Sequence, residues 1–279
     1  MAIPGKSCTL NIVKILDFGV YLDGEQLGEI LLPMKWVPEG CRPDDQVEVF
    51  IYFDSEDRLI ATTQKPLAQV GEFALLKVKA VNEIGAFLDW GLEKDLLVPF
   101  REQKTKMIAD RSYLVYIYAD PKTGRLTGSA KLEQFFDRDT DELEAGQEVD
   151  LIIWAKSDLG YKAIINNRYE GLIYDGDIFT DLQRGEHMKG YLIRIREDGK
   201  IDLSLHKPGF EKVDDLSAKI LAMLEQQHGY LGLSDKSPAE EIYLMLGASK
   251  KTFKKAIGGL FKQKLILLEE NGIRLISKK

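Results

Sequence analysis

The chain has 279 residues, of which 44% are hydrophobic and 30% charged, a composition typical of globular proteins. Its formal net charge of −7 argues against a uniformly basic nucleic-acid-binding protein. Two cysteines are too few for a disulfide framework, and no apolar run reaches the roughly 20 residues that a membrane helix needs. We therefore expect a cytoplasmic protein without membrane segments, divided into two or more domains.

The sequence motifs of several common enzyme classes are absent. There is no GxGxxG, GxxxxGK[ST], GxSxG or HExxH motif, and the histidines and cysteines lack the spacing of zinc ligands. The acidic segment 175–186 partly resembles a calcium-binding loop, but Phe179 and Thr180 stand where that loop needs an oxygen ligand and a glycine. We expect a protein that is not an enzyme and that uses no cofactor or metal.

Five short strand-like segments follow one another in the first part of the chain. They are CTLNIVKI, the segment LDFGVYLD around Gly19, LGEILLP, DQVEVFIYFD and RLIATT. The same order returns around Gly85 in NEIGAFLDW and around Gly160 in KSDLGYKAII. The offset from the glycine to the basic residue that begins the last segment is 39, 40 and 40 residues, for the pairs Gly19–Arg58, Gly85–Arg125 and Gly160–Lys200. This spacing predicts three copies of one five-stranded unit.

Five short strands with a glycine in the second are typical of a small closed barrel, in which we expect the glycine to bend the strand at a corner. The prediction is an OB-fold, whose strands 2 and 3 form the face that binds oligonucleotides. Because side chains alternate along a strand, Phe18 and Tyr21 would lie on opposite faces, and the glycine bend can change that parity. Core packing and an exposed stacking position both remain open for these aromatic side chains.

The quoted segments resemble the S1 RNA-binding domain, in which a D-F-G-x-F-like strand precedes a G-L-V-H-like strand. DFGVYL, LGEILLP and DSEDRLIATT carry the resemblance in repeat one; NEIGAFLDW, LLVPF and GRLTGS carry it in repeat two. In repeat three, DLGYKAII, YEGLIYD and DGKIDLSL match less closely. The resemblance implies that bases stack on strand-2 and strand-3 side chains and that a basic residue before strand 5 holds phosphate. The implied RNA-binding residues are Phe18, Tyr21 and Arg58 in repeat one, Phe87 and Arg125 in repeat two, and Tyr174 and Lys200 in repeat three.

No repeat contains the complete family pattern. The strand-3 histidine corresponds to Leu31 in repeat one, Val98 in repeat two and Tyr174 in repeat three. The first strand-2 aromatic is replaced by Ile84 in repeat two, where nearby Trp90 is a candidate substitute platform. Leu159 and Lys162 replace both strand-2 aromatics in repeat three, so we expect an RNA site distributed over several units.

The last part of the chain changes to a helical pattern. KVDDLSAKILAMLEQQ, SPAEEIYLML and SKKTFKKAIGGLFKQK predict three helices, and LILLEENGIRLIS predicts a hairpin around an Asn-Gly turn. In the third helix, we expect a buried stripe of Phe253, Ile257, Leu260 and Phe261. An adjacent face without acidic residues carries four candidate nucleic-acid-binding lysines: Lys250, Lys251, Lys254 and Lys255. The pattern predicts a winged helix.

Tandem S1-like units followed by a winged helix resemble the conserved virulence factor B family of bacterial RNA-binding regulators. The resemblance implies a regulator of gene expression, and we expect single-stranded RNA as its ligand. The predicted fold is mainly β: three tandem five-stranded OB-fold (S1-like) barrels precede an α+β winged-helix domain. The predicted boundaries are 1–66, 67–138, 139–208 and 209–279.

Two other classes of function are alternatives to RNA binding. A protein-interaction scaffold could use degenerate barrels to dock onto the ribosome or RNA polymerase, and a basic helix would suit an acidic protein partner as well as RNA. A nuclease would need clustered carboxylates that bind metal, and the spacing of the acidic residues indicates no such cluster.

Overall fold

The computed structural model describes residues 1–175, 178, 181–205 and 213–276. The predicted fold class is confirmed: the strands form three closed five-stranded barrels, and a winged-helix domain follows them. The chain divides into two compact units, Met1–Phe136 and Asp137–Lys279. The predicted boundary between residues 208 and 209 lies outside the described residues, as do four residues of the rejected calcium loop, at 176, 177, 179 and 180.

Each barrel contains five consecutive strands. Barrel 1 consists of β1 (Ser7–Leu16), β2 (Gly19–Asp23), β3 (Glu29–Pro33), β4 (Gln46–Phe53) and β5 (Leu59–Thr62). Barrel 2 consists of β6 (Phe73–Val81), β7 (Gly85–Asp89), β8 (Leu96–Pro99), β9 (Ser112–Ala119) and β10 (Leu126–Ser129). Barrel 3 consists of β11 (Glu148–Ser157), β12 (Gly160–Ile165), β13 (Tyr169–Tyr174), β14 (His187–Ile195) and β15 (Ile201–Ser204). In all three, the third strand pairs in parallel with the fifth, and the other pairings are antiparallel.

The repeated glycine is the first residue of the second strand in each barrel, after a connection of two residues in barrels 1 and 3 and of three residues in barrel 2. A Cβ atom at this position would overlap a backbone carbonyl oxygen of the third strand: Leu32 opposite Gly19, Val98 opposite Gly85 and Ile173 opposite Gly160. The glycine is therefore required by the close approach of two strands. The first strand of all three barrels has a register shift against the second, which is characteristic of a β-bulge, and a bulge bends its strand.

Barrels 1 and 2 share part of their hydrophobic core. Along β4, Val49 and Ile51 point into barrel 1, whereas Phe50 and Tyr52 pack with the core residues of barrel 2. The rings of Phe50 and Trp90 meet edge to face, with 5.6 Å between their centroids. The first unit is therefore a pair of barrels joined through apolar side chains.

The C-terminal domain has the predicted helices and hairpin. Its elements are α1 (Val213–Gln226), β16 (Tyr230–Leu231), α2 (Ala239–Leu246), α3 (Lys250–Lys262), β17 (Ile266–Glu269) and β18 (Gly272–Leu275). Ser249 caps α3, since its side chain accepts a hydrogen bond from the Thr252 amide. The predicted buried stripe of α3 is correct for Phe253, Ile257 and Leu260, but Phe261 is 49% exposed.

The hairpin turn differs from the prediction by one position. Glu269 pairs with Gly272, so Glu270 and Asn271 form the turn, and the glycine already belongs to β18. A Cβ on Gly272 would come within 2.6 Å of the Leu231 carbonyl oxygen. This glycine is needed where β18 packs beside β16, and the hairpin turn itself does not require it.

Among the described residues, no helix is both long enough and apolar enough to span a membrane.

Candidate nucleic-acid interface

Two aromatic rings and a lysine lie together at one end of barrel 1. Phe18 occupies the turn between β1 and β2, so the prediction that it lies on strand 2 is wrong; it is 57% exposed. Its ring meets Tyr21 edge to face with centroids 6.4 Å apart. The Lys14 Nζ atom lies 4.6 Å from the centroid of the half-buried Tyr21 ring. Neither ring is part of the barrel core, and the turn brings both to one surface.

Arg58 belongs to an acidic turn between β4 and β5, which we call the Asp54–Arg58 turn. The Arg58 side chain donates from Nε to Asp54 over 2.8 Å and lies 3.0 Å from Glu56 through Nη1. Burial raises the pKa of Asp54, but hydrogen bonds from the Arg58 backbone and side chain outweigh it, and the net pKa is lowered. The arginine is exposed, and it is already paired with two carboxylates.

Of the two aromatic side chains that were predicted to bind RNA in barrel 2, only one is partly exposed to solvent. Phe87 is half-buried on β7, between Ala80 and Leu97 on the neighbouring strands. Trp90 is only 2% exposed, and its Nε1 donates to the Lys94 carbonyl oxygen over 2.6 Å. The prediction that Trp90 forms an exposed platform is therefore wrong, because its ring belongs to the shared core of the first unit.

The Asp54–Arg58 turn of barrel 1 lies against the predicted phosphate site of barrel 2. Asp57 is ion-paired with Arg125, and the Lys94 Nζ atom lies 3.4 Å from the same carboxylate. Lys94 also donates to the Asp54 carbonyl oxygen over 2.5 Å. A cavity of about 230 Å³, the inter-barrel crevice, lies beside these contacts and is lined by both barrels, including Phe53, Asp57, Leu97, Arg101 and Arg125. A carboxylate of barrel 1 thus contacts Arg125, the predicted phosphate-binding residue of barrel 2, and the neighbouring Lys94.

Barrel 3 has a cationic cluster that the sequence reasoning missed. Predicted Lys200 is exposed and pairs with Asp198 over 2.6 Å. Beside the half-buried ring of Tyr174, Arg194 and Arg196 both bind one carboxylate, Asp202. Arg196 also donates to the Tyr174 hydroxyl, and its guanidinium carbon lies 5.9 Å from that ring centroid.

Asp202 is ionised in this cluster for a clear physical reason. Burial raises the pKa of its carboxyl, but hydrogen bonds and charge from Arg196 and Arg194 outweigh burial and lower it. The Asp202 side chain also raises the pKa of Arg196. The cluster therefore carries two positive charges and one negative charge.

Barrel 3 differs from the other two barrels in the sign of a charge at one equivalent position. The amide at the end of the fourth strand donates to the carbonyl of the basic residue before the fifth strand in each barrel, in the pairs Asp54–Arg58, Asp120–Arg125 and Arg196–Lys200. Barrels 1 and 2 thus carry an aspartate where barrel 3 carries an arginine. Counting back four or five residues from each repeated basic residue would have found this difference in the sequence.

The strand registers correct the predicted equivalence of the strand-3 positions. The repeated glycines pair with Pro33, Pro99 and Tyr174. Leu31 and Val98 are therefore not equivalent to Tyr174, and Val98 is buried in the barrel core. Of the three strand-3 positions, only that in barrel 3 carries an aromatic side chain.

The four lysines that were predicted to bind nucleic acid all lie on α3. Lys251, Lys254 and Lys255 are exposed, and Lys250 is half-buried. Lys254 lies 3.9 Å from Asp235, and Lys250 donates to the Lys236 carbonyl oxygen over 3.4 Å. Gly258 has open space beside it, where a side chain is absent and the helix backbone is accessible. This face combines positive charge with close backbone access.

Within the part of the chain that the structure describes, no group of three or more histidine, cysteine, aspartate or glutamate side chains is suited to hold a metal ion.

Comparison with known proteins identifies two of the domains. Residues 4–64 match the S1 domain family, and residues 218–275 match the CvfB-like winged helix domain family. The chain is 29% identical to the uncharacterized protein YitL of Bacillus subtilis, over 96% of this chain and 92% of the relative. It is 27% identical to conserved virulence factor B of Staphylococcus aureus, over 84% of this chain and 83% of the relative.

Among solved structures, the chain is similar to a multidomain protein with nucleic acid binding domains from Streptococcus pneumoniae. The identity is 24%, the alignment covers 98% of each chain, and the TM-score is 0.38. The two domain-family matches and the two relatives together confirm the predicted resemblance to the conserved virulence factor B family, with an S1 domain at residues 4–64 and a CvfB-like winged helix at residues 218–275.

Proposed function

We propose that this protein is a cytoplasmic regulator that binds single-stranded RNA and acts on gene expression after transcription. One observation carries the proposal: exposed or half-exposed rings lie beside cations on the surfaces of barrels 1 and 3. Tyr21 has Lys14 above its ring, and Tyr174 has Arg196 beside it. Single-stranded nucleic acid is bound by stacking of bases on aromatic rings and by basic groups along the backbone.

The proposed stacking positions are Phe18, Tyr21, Phe87 and Tyr174. Each stacked base contributes about 1–3 kcal/mol and requires no particular base, because every base has a π-face. The proposed phosphate contacts are Arg58, Arg125 and Lys200, together with Arg194 and Arg196, which share the Asp202 carboxylate beside Tyr174. Trp90 is not included, because it is buried.

The winged helix contributes a second proposed contact through Lys250, Lys251, Lys254 and Lys255. A solvated helix usually places acids among its lysines, since Glu–Lys pairs four residues apart stabilise it. No acid interrupts residues 249–264. This uninterrupted positive face suits a phosphate backbone.

A protein-interaction scaffold that docks onto the ribosome or RNA polymerase is the second candidate. The observation in its favour is that Arg58, Arg125 and Lys200 are all paired with carboxylates of the chain. Such pairs compete with phosphate, and they leave less positive charge for RNA than the sequence indicates.

The test is fluorescence anisotropy with a labelled random 15-nucleotide RNA over a range of salt concentrations. Changing the four α3 lysines to alanine should weaken binding and reduce the slope of log K against log salt by about 0.7 for each phosphate that these lysines neutralise. The control removes the same charge from exposed lysines in the first unit: Lys65, Lys77, Lys106 and Lys131. An unchanged slope in the α3 variant would exclude the winged-helix contact. No binding by the wild-type protein at low salt would favour the scaffold.

A further inference from the structure

Asp202 is a buried carboxylate at the centre of the barrel 3 cluster. It is 6% exposed and accepts hydrogen bonds over 2.7 Å from Arg194 Nε and from Arg196 Nη2. Arg196 Nε lies 3.0 Å from the same carboxylate, and the Tyr174 hydroxyl lies 3.3 Å from Oδ1. One acid therefore contacts both guanidinium groups and the ring that we propose as a stacking platform.

These contacts leave much of each guanidinium available for a ligand. An arginine has five N–H donors in a planar fork. Among the residues that the structure describes, Arg194 contacts Asp202 through Nε alone, so both of its Nη groups remain available there, and Arg196 keeps its Nη1 group. The carboxylate thus orients both side chains, and it leaves the Nη pair of Arg194 for a two-point contact with phosphate and the Nη1 group of Arg196 for a single-point contact.

The arrangement is specific to barrel 3. Asp202 lies on the fifth strand of barrel 3, at a position that pairs with the third strand. The equivalent residue of the fifth strand is Ile60 in barrel 1 and Thr127 in barrel 2. Barrel 3 therefore has its carboxylate on the fifth strand and an arginine at the end of the fourth, whereas the other barrels have an aspartate there.

We propose that Asp202 is a positioning residue that holds Arg194 and Arg196 in the orientation that binds successive phosphates of a strand whose base stacks on Tyr174. This proposal rests on the proposed RNA-binding function. It assigns to an acidic residue a favourable role in binding a polyanion, because ordering two flexible side chains before binding removes that entropic cost from the complex.

The direction in which one substitution changes the RNA affinity distinguishes a positioning role from a simple electrostatic effect. Asp202→Asn adds one positive charge, so electrostatics alone predicts tighter RNA binding. Loss of positioning predicts binding of the labelled 15-nucleotide RNA about fivefold to a hundredfold weaker, from the cost of ordering the two side chains. The salt slope should also fall by about 0.7 for each phosphate that the arginines no longer neutralise. The matched control is Asp198→Asn, which makes the same charge change at an exposed acid paired with Lys200; it should bind RNA as well as the wild type or better.

A result in which Asp202→Asn binds as tightly as the wild type, or tighter, overturns the proposal. Thermal unfolding shows whether that variant is folded. If it is not, Arg196→Lys takes its place, because it keeps the charge and loses the planar fork that Asp202 holds. Equal RNA affinity of Arg196→Lys and wild type then overturns the proposal.

A second measurement separates failure of this proposal from failure of the proposed function. If the wild-type protein binds no RNA, the function is wrong, and inorganic phosphate serves as the probe in NMR spectra of the arginine Nε–H groups. Phosphate should shift the Arg194 and Arg196 signals in the wild type and leave them nearly unchanged in Asp202→Asn. Equal shifts in both proteins overturn the positioning role.

Discussion

The repeated glycine illustrates how one residue fixes a strand pairing. In each barrel, the second strand begins so close to the third that a Cβ atom would overlap a carbonyl oxygen. The matched spacing of Gly19, Gly85 and Gly160 in the sequence predicted that the residue belongs to the fold. It did not predict the cause, since close approach of strands depends on the partner strand, which sequence spacing alone does not describe.

Replacing Gly85 by alanine should destabilise the protein by about 1–3 kcal/mol, the usual cost of forcing an extra carbon into a packed site. Denaturant unfolding of the first unit measures the change. The control is Gly258→Ala, at a helical glycine with open space beside it. Alanine there should stabilise α3 by about 1 kcal/mol, because glycine is a poor helix former. Equal stabilities of Gly85→Ala and wild type would contradict the explanation from close approach.

At the scale of an element, the Asp54–Arg58 turn is the clearest difference between expectation and structure. The sequence placed Arg58 in a phosphate site of its own barrel, and the structure shows that the same turn directs Asp57 to Arg125 and Lys94 of barrel 2. The repeat pattern predicted where the turn lies in the sequence. Aligning one repeat with another does not reveal which residues of different repeats contact each other.

We expect Asp57→Asn to increase the RNA affinity of the protein by freeing Arg125 and Lys94. The magnitude of the salt slope should rise by about 0.7 for each additional phosphate that these two cations neutralise, which the anisotropy titration measures. Asp44→Asn is the matched control, because Asp44 also has a left-handed backbone in barrel 1, with φ of 72° against 60° for Asp57, and asparagine tolerates both. If both variants change the slope equally, the effect is one of net charge, and the turn does not restrict the barrel 2 site.

At the scale of the whole molecule, the first unit is a pair of barrels with a common hydrophobic core. Phe50 is almost fully buried and contacts Trp90 of the next barrel. The run VFIYF in β4 is apolar at consecutive positions where a strand with one solvated face would alternate. That signal could have predicted burial of both faces of β4, although it does not identify Trp90 as the residue that covers one of them.

Phe50→Ala should therefore destabilise both barrels of the first unit, by about 3–5 kcal/mol. Hydrogen exchange measured by mass spectrometry should show lower protection in β6–β10 as well as in β1–β5. The comparison variant is Phe253→Ala in the core of the winged helix, where we expect loss of protection confined to that domain. Retained protection of β6–β10 in Phe50→Ala would contradict the common core.

The fold was largely predictable from the sequence because it depends on local patterns. Strand order, the three repeats and the winged helix follow from spacing, alternation and helical periodicity. The candidate site was less predictable because it depends on neighbours from other strands. Arg194 and Asp202 are eight residues apart in sequence and meet only because β14 pairs with β15.

The contact between Phe50 and Trp90 also limits how the gene of such a protein can change. Tandem repeats are usually free to be deleted, duplicated or exchanged one at a time, because each copy folds alone. Here, loss of the first copy would expose an indole and a large apolar surface on the second. We therefore expect the first two copies to be retained together, with a change of size at one ring matched by a change at the other.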